Sequence, residues 1–140
     1  MTDGSETTTR RTRVFVADGH ASYREGMASL LRAHPTLDVV GDAADGTAAL
    51  AAILRLQPDV ALLDVGMAGL TGLEVCRRLH ANGAEPHTRV VLITGTPDRD
   101  VAAAAADAGA IALLAKETPP GSLVAELVAA GQGRVARAVE

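Results

Sequence analysis

Aromatic residues are almost missing from this sequence: they make up 1% of its 140 residues and are represented by Phe15 and Tyr23. The core must therefore be built from alanine, valine, leucine and isoleucine. A single cysteine, Cys76, cannot form a disulfide within the chain, which favours a reducing, cytoplasmic location. Cys76 falls within a helical apolar pattern, so we interpret it as a small core residue rather than a nucleophile.

Long apolar runs and an excess of positive charge are also missing. The apolar runs, such as Ala48–Leu54 and Val101–Ala106, are far too short to span a bilayer, and the polar amino terminus lacks the apolar segment of a secretory signal. The formal net charge of -4 argues against nucleic-acid binding by the domain as a whole. The one basic cluster, Arg10, Arg11 and Arg13, is interpreted as a solvated segment before a strand. We therefore expect a soluble intracellular protein.

The chain divides into three parts. Residues 1–12 are polar, rich in threonine and without periodicity, and we predict a disordered tail there. Residues 13–131 alternate regularly between short apolar segments and helical patterns, which indicates one domain. Residues 132–140 are too few for another domain, and we interpret them as a tail or the beginning of a linker.

Five short segments are apolar on both faces, as is typical of strands in a parallel sheet that is covered on both sides. These predicted strands are Arg13–Ala17, Asp38–Gly41, Val60–Asp64, Arg89–Thr94 and Ile111–Leu114.

Helix signals separate the predicted strands. The segments that begin at Ser22 and Thr71 have the pattern of a capping box, and Asp45 is a candidate N-cap. Thr96 and Thr118 are candidate N-caps as well, and each precedes a proline that could occupy the first helical position. Five strands in strict alternation with five helices predict an α/β fold with a doubly wound, five-stranded parallel sheet between two helix layers.

Polar residues stand where four of the predicted strands end. Asp18 follows the first strand, Asp64 ends the third, Thr94 ends the fourth and Lys116 follows the fifth. Because the carboxyl ends of parallel strands share one edge of the sheet, these side chains should converge. Paired carboxylates can bind Mg2+, and a carboxylate can accept a phosphoryl group. The lysine could pair with the carboxylate or the phosphate as a point charge. For Asp18 and Thr94, a simple turn residue is the alternative.

Several segments, in this order and at this spacing, resemble the receiver domain of bacterial two-component response regulators. The resemblance covers about Arg13 to Gly131 and rests on RVFVADGH, PDVALLDVGMAGLTGLEV, TRVVLITG and ADAGAIALLAKE. The segments DGHASYREGMASLL, DVVGDAADG and LLAKE are most similar to receivers of the LuxR/NarL type. The resemblance implies the flavodoxin-like (βα)5 fold and a signalling role without enzymatic activity of its own.

The resemblance also implies roles for the residues at the strand ends. Asp64 would be the phosphoacceptor, supplied by a histidine kinase, with Mg2+ as the cofactor. Asp18, Asp64 and the backbone carbonyl of Gly66 would bind the metal. Lys116 would contact the phosphoryl group, and Thr94 would be the switch hydroxyl.

The sequence departs from the family pattern at three positions. Gly19 stands where a second acidic residue usually contacts Mg2+, so metal affinity and phosphotransfer should both be weakened. Ala68 replaces the usual proline after the phosphoacceptor. Leu113 stands where an aromatic side chain usually swings inward upon phosphorylation, which removes that readout. Gly19 could also be only a tight turn.

Two functions stay open for such a domain. It could be phosphorylated on Asp64, with impaired Mg2+ binding, or it could work without phosphate as a protein-interaction module that forms a homodimer through its late helices. Either could regulate transcription through a DNA-binding domain outside this chain. A transition-metal site of Asp18, His20 and Asp64 is less favoured, because histidine is common at this place in the family without being a ligand. A flavodoxin-like enzyme or nucleotide binder would need glycine-rich phosphate motifs that the sequence lacks.

Overall fold

The computed structural model describes residues 11–81 and 86–133, which form one sheet of five strands with five helices. The strands are β1 (Thr12–Ala17), β2 (Leu37–Ala43), β3 (Val60–Asp64), β4 (Arg89–Thr94) and β5 (Ala112–Ala115). The helices are α1 (Ala21–Arg32), α2 (Gly46–Leu56), α3 (Gly72–Leu79), α4 (Arg99–Ala108) and α5 (Pro120–Gly131). None of these helices is long and apolar enough to cross a membrane.

The strand order is β2-β1-β3-β4-β5, and every neighbouring pair is parallel. After β2 the chain returns past β1 to form β3, so the direction of winding changes between β1 and β3. In sheets of this kind, the crevice at the carboxyl ends of such strands is the usual ligand site. The predicted doubly wound parallel sheet is therefore confirmed, and its topology places the ends of β1 and β3 side by side.

Alternating side chains of the strands enter two separate core layers, one on each side of the sheet. On one side, Phe15 packs with the apolar faces of α2, α3 and α4. On the other side, Val14 and Val16 pack with the apolar faces of α1 and α5. Phe15 is fully buried, and the rest of both layers is almost entirely aliphatic or alanine. Cys76 lies in the first layer, where burial raises the pKa of its thiol to about 12, so it is a core residue.

Several element boundaries differ from the sequence-based ones. The predicted tail is too long by one residue within the described part, because Thr12 is buried, pairs in β1 and donates its N–H to the Thr36 carbonyl at 2.8 Å. The rest of that tail and residues 134–140 lie outside the described residues. At the other end, α5 ends at Gly131, where the domain was expected to end.

The predicted helix caps are correct at two of five places. Asp45 caps α2 through a hydrogen bond from the Ala48 N–H, and Thr71 forms the expected capping box with α3. The other three were wrong: α1 begins before Ser22, Asp98 caps α4 in place of Thr96, and α5 follows Pro119 without a side-chain cap. The Asp98 carboxylate reaches the Val101 N–H at 2.9 Å, which puts the start of α4 two residues later than the threonine would.

Candidate functional site

Two carboxylates and one ammonium meet at the carboxyl edge of the sheet. The Lys116 Nζ lies 2.7 Å from Asp18 Oδ2 and 3.5 Å from Asp64 Oδ2. The side chains of Asp18, Asp64 and Lys116 are 2%, 9% and 18% exposed, respectively. This is the convergence expected from the strand ends, in a pocket that is largely shielded from water.

The strand register explains why the two acids lie together. Ala17 of β1 pairs with Leu63 of β3, so the next residues, Asp18 and Asp64, lie at the same level of the carboxyl edge. Lys116 follows β5, two strands away from β3, and its backbone N–H donates to the Thr94 carbonyl at 2.8 Å. Only a long side chain can reach the acids from that position.

Asp18 is held by a tight turn at the end of β1. Its Oδ1 accepts the His20 N–H at 2.8 Å, and its backbone carbonyl accepts a bond from Arg24 Nη1 at 2.8 Å. Burial by itself would raise the pKa of Asp18, but the bonds from Lys116 and from His20 outweigh it, so the pKa lies below its usual value. Asp18 is therefore a carboxylate at neutral pH.

The lowered pKa of Asp18 gives a testable pH dependence of stability. Because its folded pKa lies below the unfolded one, the stabilisation is present above the unfolded pKa, about 3.9, and is lost as the pH falls through the folded value. The difference in unfolding free energy between wild type and Asp18→Asn should be largest at neutral pH and shrink below about pH 4. Urea titrations across this range measure it, and a difference independent of pH would contradict the ion pair.

Asp64 and Thr94 are buried at the same edge, but their local bonds differ. Asp64 Oδ1 lies 3.3 Å from the Gly66 N–H, which donates to it. Asp64 pairs in register with Ile93, so Thr94 lies one residue further along β4. The Thr94 hydroxyl oxygen accepts the Thr96 N–H at 3.2 Å. Lys116 thus contacts both Asp18 and Asp64, whereas the Thr94 hydroxyl oxygen bonds within the turn that follows β4.

The three positions that depart from the family pattern have different surroundings. Gly19 is exposed, and a Cβ placed there would meet only the Ala44 carbonyl oxygen, at 3.5 Å. The carbonyl of Ala68 accepts the Gly46 N–H at 3.0 Å, which ties the loop after β3 to the start of α2. Leu113 is 8% exposed and packs in the core layer of α2, α3 and α4.

Two further side chains contact the pocket. His20 Nδ1 lies 3.1 Å from Asp18 Oδ1 and 3.3 Å from Lys116 Nζ, although the ring is 75% exposed. The Lys116 Nζ also lies 4.7 Å from the centre of the Tyr23 ring, a cation–π contact. Tyr23 was not expected in the site. The sequence feature that could have indicated its place in the site is its position in the first turn of the helix that follows Asp18.

The ligand atoms at this edge are of the type that binds a hard divalent cation, but the site has one acidic side chain fewer than the family pattern. Carboxylate and carbonyl oxygens are the ligands that Mg2+ prefers, and one carboxylate oxygen each of Asp18 and Asp64 and one ring nitrogen of His20 lie within 4.8 Å of one another. Gly19 offers no side chain, and Lys116 already balances part of the charge. We therefore regard Asp18, Asp64 and the Gly66 carbonyl as candidate metal ligands with weakened affinity.

A parallel sheet with an acidic crevice and a facing lysine is what the resemblance to receiver domains implies. The chain matches the family model described as response regulator receiver domain over residues 14–128. It belongs to this family and is a receiver domain of a response regulator in two-component signalling. Receiver domains of response regulators interact with histidine kinases, and those of the LuxR/NarL type are not enzymes.

Individual relatives agree with this assignment. The chain is 32% identical to a nitrate/nitrite response regulator protein homolog of Haemophilus influenzae, across 88% of this chain and 58% of that protein. It is 36% identical to a probable transcriptional regulatory protein NarL of Mycobacterium tuberculosis, across 89% of this chain and 56% of that protein. The chain thus spans little more than half the length of these curated relatives. The solved signal receiver domain of the putative response regulator NarL from M. tuberculosis superposes with a TM-score of 0.85 at 34% identity, covering 90% of this chain and all of that one.

Proposed function

We propose that Asp64 is the phosphoacceptor of this receiver domain and takes its phosphoryl group from a phosphohistidine of a histidine kinase. The observation that carries the proposal is the position of Asp64 at the winding change of the sheet, 3.5 Å from the Lys116 ammonium. A carboxylate can act as a nucleophile without a general base, because it has no proton to lose before it attacks.

The transfer is an in-line displacement at phosphorus. An oxygen of Asp64 forms a bond to phosphorus as the bond from phosphorus to the imidazole nitrogen of the donor breaks, and the electron pair leaves with the imidazole. The product is an acyl phosphate on Asp64. Lys116 opposes the charge of the phosphoryl oxygens as a point charge, and the Thr94 hydroxyl, which accepts the Thr96 N–H, keeps its own O–H to donate to one of them.

Asp18, Asp64 and the Gly66 carbonyl would bind Mg2+, whose charge neutralises phosphoryl oxygens when the ion is bound. Because Gly19 contributes no carboxylate, a water must take the place of one charged ligand. We expect weak metal binding and slow phosphorylation in consequence. The domain would act in the cytoplasm, and an output through a separate DNA-binding domain belongs to the same proposal.

Incubation with Mg2+ and phosphoramidate, a small phosphodonor, tests the proposal. Intact-mass spectrometry should show one added phosphoryl group on the wild type and none on Asp64→Asn. Asp107→Asn is the matched control, because Asp107 is an exposed carboxylate on α4, away from the strand ends, and should leave the reaction unchanged. If wild type and Asp64→Asn both stay unmodified at saturating donor and Mg2+, the proposal fails.

The second candidate is a receiver that works without phosphate, as an interaction or dimerisation module. Two observations favour it: Gly19 lacks the second acid, and Leu113 is packed in the core where an aromatic readout would be needed. An apolar groove of about 400 Å³ between α1 and α5, lined in part by Leu30 and Val124, offers a surface for a homodimer through the late helices. Self-association that rises with concentration and ignores the phosphodonor would support this function, whereas dimerisation that requires phosphorylation would contradict it.

A further inference from the structure

Lys116 is the only lysine in the sequence; the other residues counted as basic are all arginine. Its ammonium faces three acceptor atoms at 2.7, 3.3 and 3.5 Å, which belong to Asp18, His20 and Asp64. The two carboxylate contacts are ion pairs, and the ammonium, which has N–H donors and no acceptor, can donate to the His20 Nδ1. This requires the His20 tautomer with its proton on Nε2, since Nδ1 must then accept from Lys116 rather than donate to Asp18.

Asp18, His20 and Asp64 are also the group of side chains that could hold a metal ion in the described part of the chain. Their possible ligand atoms lie within 4.8 Å of one another, and all three residues face the ammonium. A divalent ion bound by these donors would therefore compete with Lys116 for the same three side chains. The competition is strongest at Asp18, whose side chain is 2% exposed and whose Oδ2 is the acceptor nearest to the ammonium.

The charge of the pocket favours Lys116 over a divalent ion in this competition. Asp18 and Asp64 carry two negative charges against the single positive charge of Lys116, and Gly19 adds none. A divalent ion that entered with Lys116 in place would leave the pocket net positive, with two cations at short range in a shielded site. The Tyr23 ring, 4.7 Å from the Nζ, further stabilises the ammonium where it is.

We propose that the Lys116 ammonium is the resident cation of this pocket, that Tyr23 positions it, and that Mg2+ binds only by displacing it from Asp18. The proposal rests on the metal-binding role proposed above for Asp18 and Asp64. It does not depend on phosphoryl transfer, so its failure and that of the phosphoacceptor are told apart by different measurements.

Calorimetric titration with MgCl2 tests the displacement. Lys116→Met removes the competing charge and should raise Mg2+ affinity by about tenfold or more. Tyr23→Leu keeps the charge of the pocket but loosens the ammonium, and should raise affinity by roughly two- to fivefold. Arg55→Gln is the matched control: it removes one positive charge from an exposed position in the last turn of α2 and should change nothing.

The single lysine gives a second readout that needs no variant. With 13C-labelled lysine, the wild type has one side-chain Cε signal, which should shift during the MgCl2 titration along the same binding curve as the calorimetry. A Cε signal that does not move while Mg2+ binds, or a Lys116→Met protein that binds Mg2+ no more tightly than the wild type, would overturn the displacement. An unchanged affinity in Tyr23→Leu would remove the positioning role of that ring.

Discussion

Gly19→Asp should raise the affinity for Mg2+ by roughly ten- to a hundredfold, because it restores a carboxylate beside Asp18. The position has room for it: a Cβ at Gly19 would meet only the Ala44 carbonyl oxygen at 3.5 Å, an ordinary contact distance. The backbone does not resist the change either, since Gly19 is not among the glycines with positive φ. A third acid would also bring the formal charge of the pocket to a value that Mg2+ can neutralise with Lys116 in place.

Gly19→Asn is the control for this experiment, because it adds a side chain of the same size without the charge. The asparagine variant should bind Mg2+ about as weakly as the wild type, and the aspartate variant should also be phosphorylated faster by a small phosphodonor. Equal affinities in the two variants would show that the missing charge does not limit metal binding, and would contradict our explanation of the impaired site.

Gly72→Ala should lower the free energy of unfolding by about 3 kcal/mol, a large effect for one methyl group. Gly72 begins α3, where its N–H donates to the Val65 carbonyl at 3.0 Å. A Cβ at this position would fall on the Asp64 carbonyl oxygen and lie 3.2 Å from the Val65 Cα. These are backbone atoms that cannot rotate away, so α3 and the end of β3 would have to separate, and Asp64 would move with them.

Gly26→Ala serves as the contrasting change in urea unfolding followed by circular dichroism. Gly26 lies within α1, and a Cβ there meets nothing within 4 Å. This substitution should stabilise the domain by about 0.5–1 kcal/mol, because alanine has the higher helix propensity. Similar shifts in the two variants would contradict the close approach of α3 to the end of β3.

The sheet and the acidic pocket could be predicted because both depend on local patterns. A short run that is apolar on both faces is typical of a covered parallel strand, and the positions of Asp18, Asp64 and Lys116 follow from where such runs end. The register of β1 and β3 then brings the two acids together without further information. Helix starts were less predictable, because Asp98 and Thr96 both offer a cap and only the path of the chain selects one.

The partners of Lys116 could not be obtained in the same way. The sequence predicted that it would pair with the phosphoacceptor carboxylate or the phosphate, and its ammonium lies 3.5 Å from Asp64 but 2.7 Å from Asp18. His20 and Tyr23 precede it by more than ninety positions, and their contacts with it depend on how the turn after β1 starts α1. A long, flexible side chain can reach several acceptors, and which one it contacts depends on small differences in distance. A sequence pattern does not predict such differences.

The central claim is that Asp64 carries the phosphoryl group, and chemical trapping tests it most directly. After incubation with phosphoramidate and Mg2+, sodium borohydride reduces an acyl phosphate to an alcohol, which converts a phosphorylated aspartate to homoserine. Peptide mass mapping should find homoserine at position 64 and unmodified aspartate at position 18. Reduction at another position, or an unmodified Asp64 in a protein that has gained phosphate, would contradict the account.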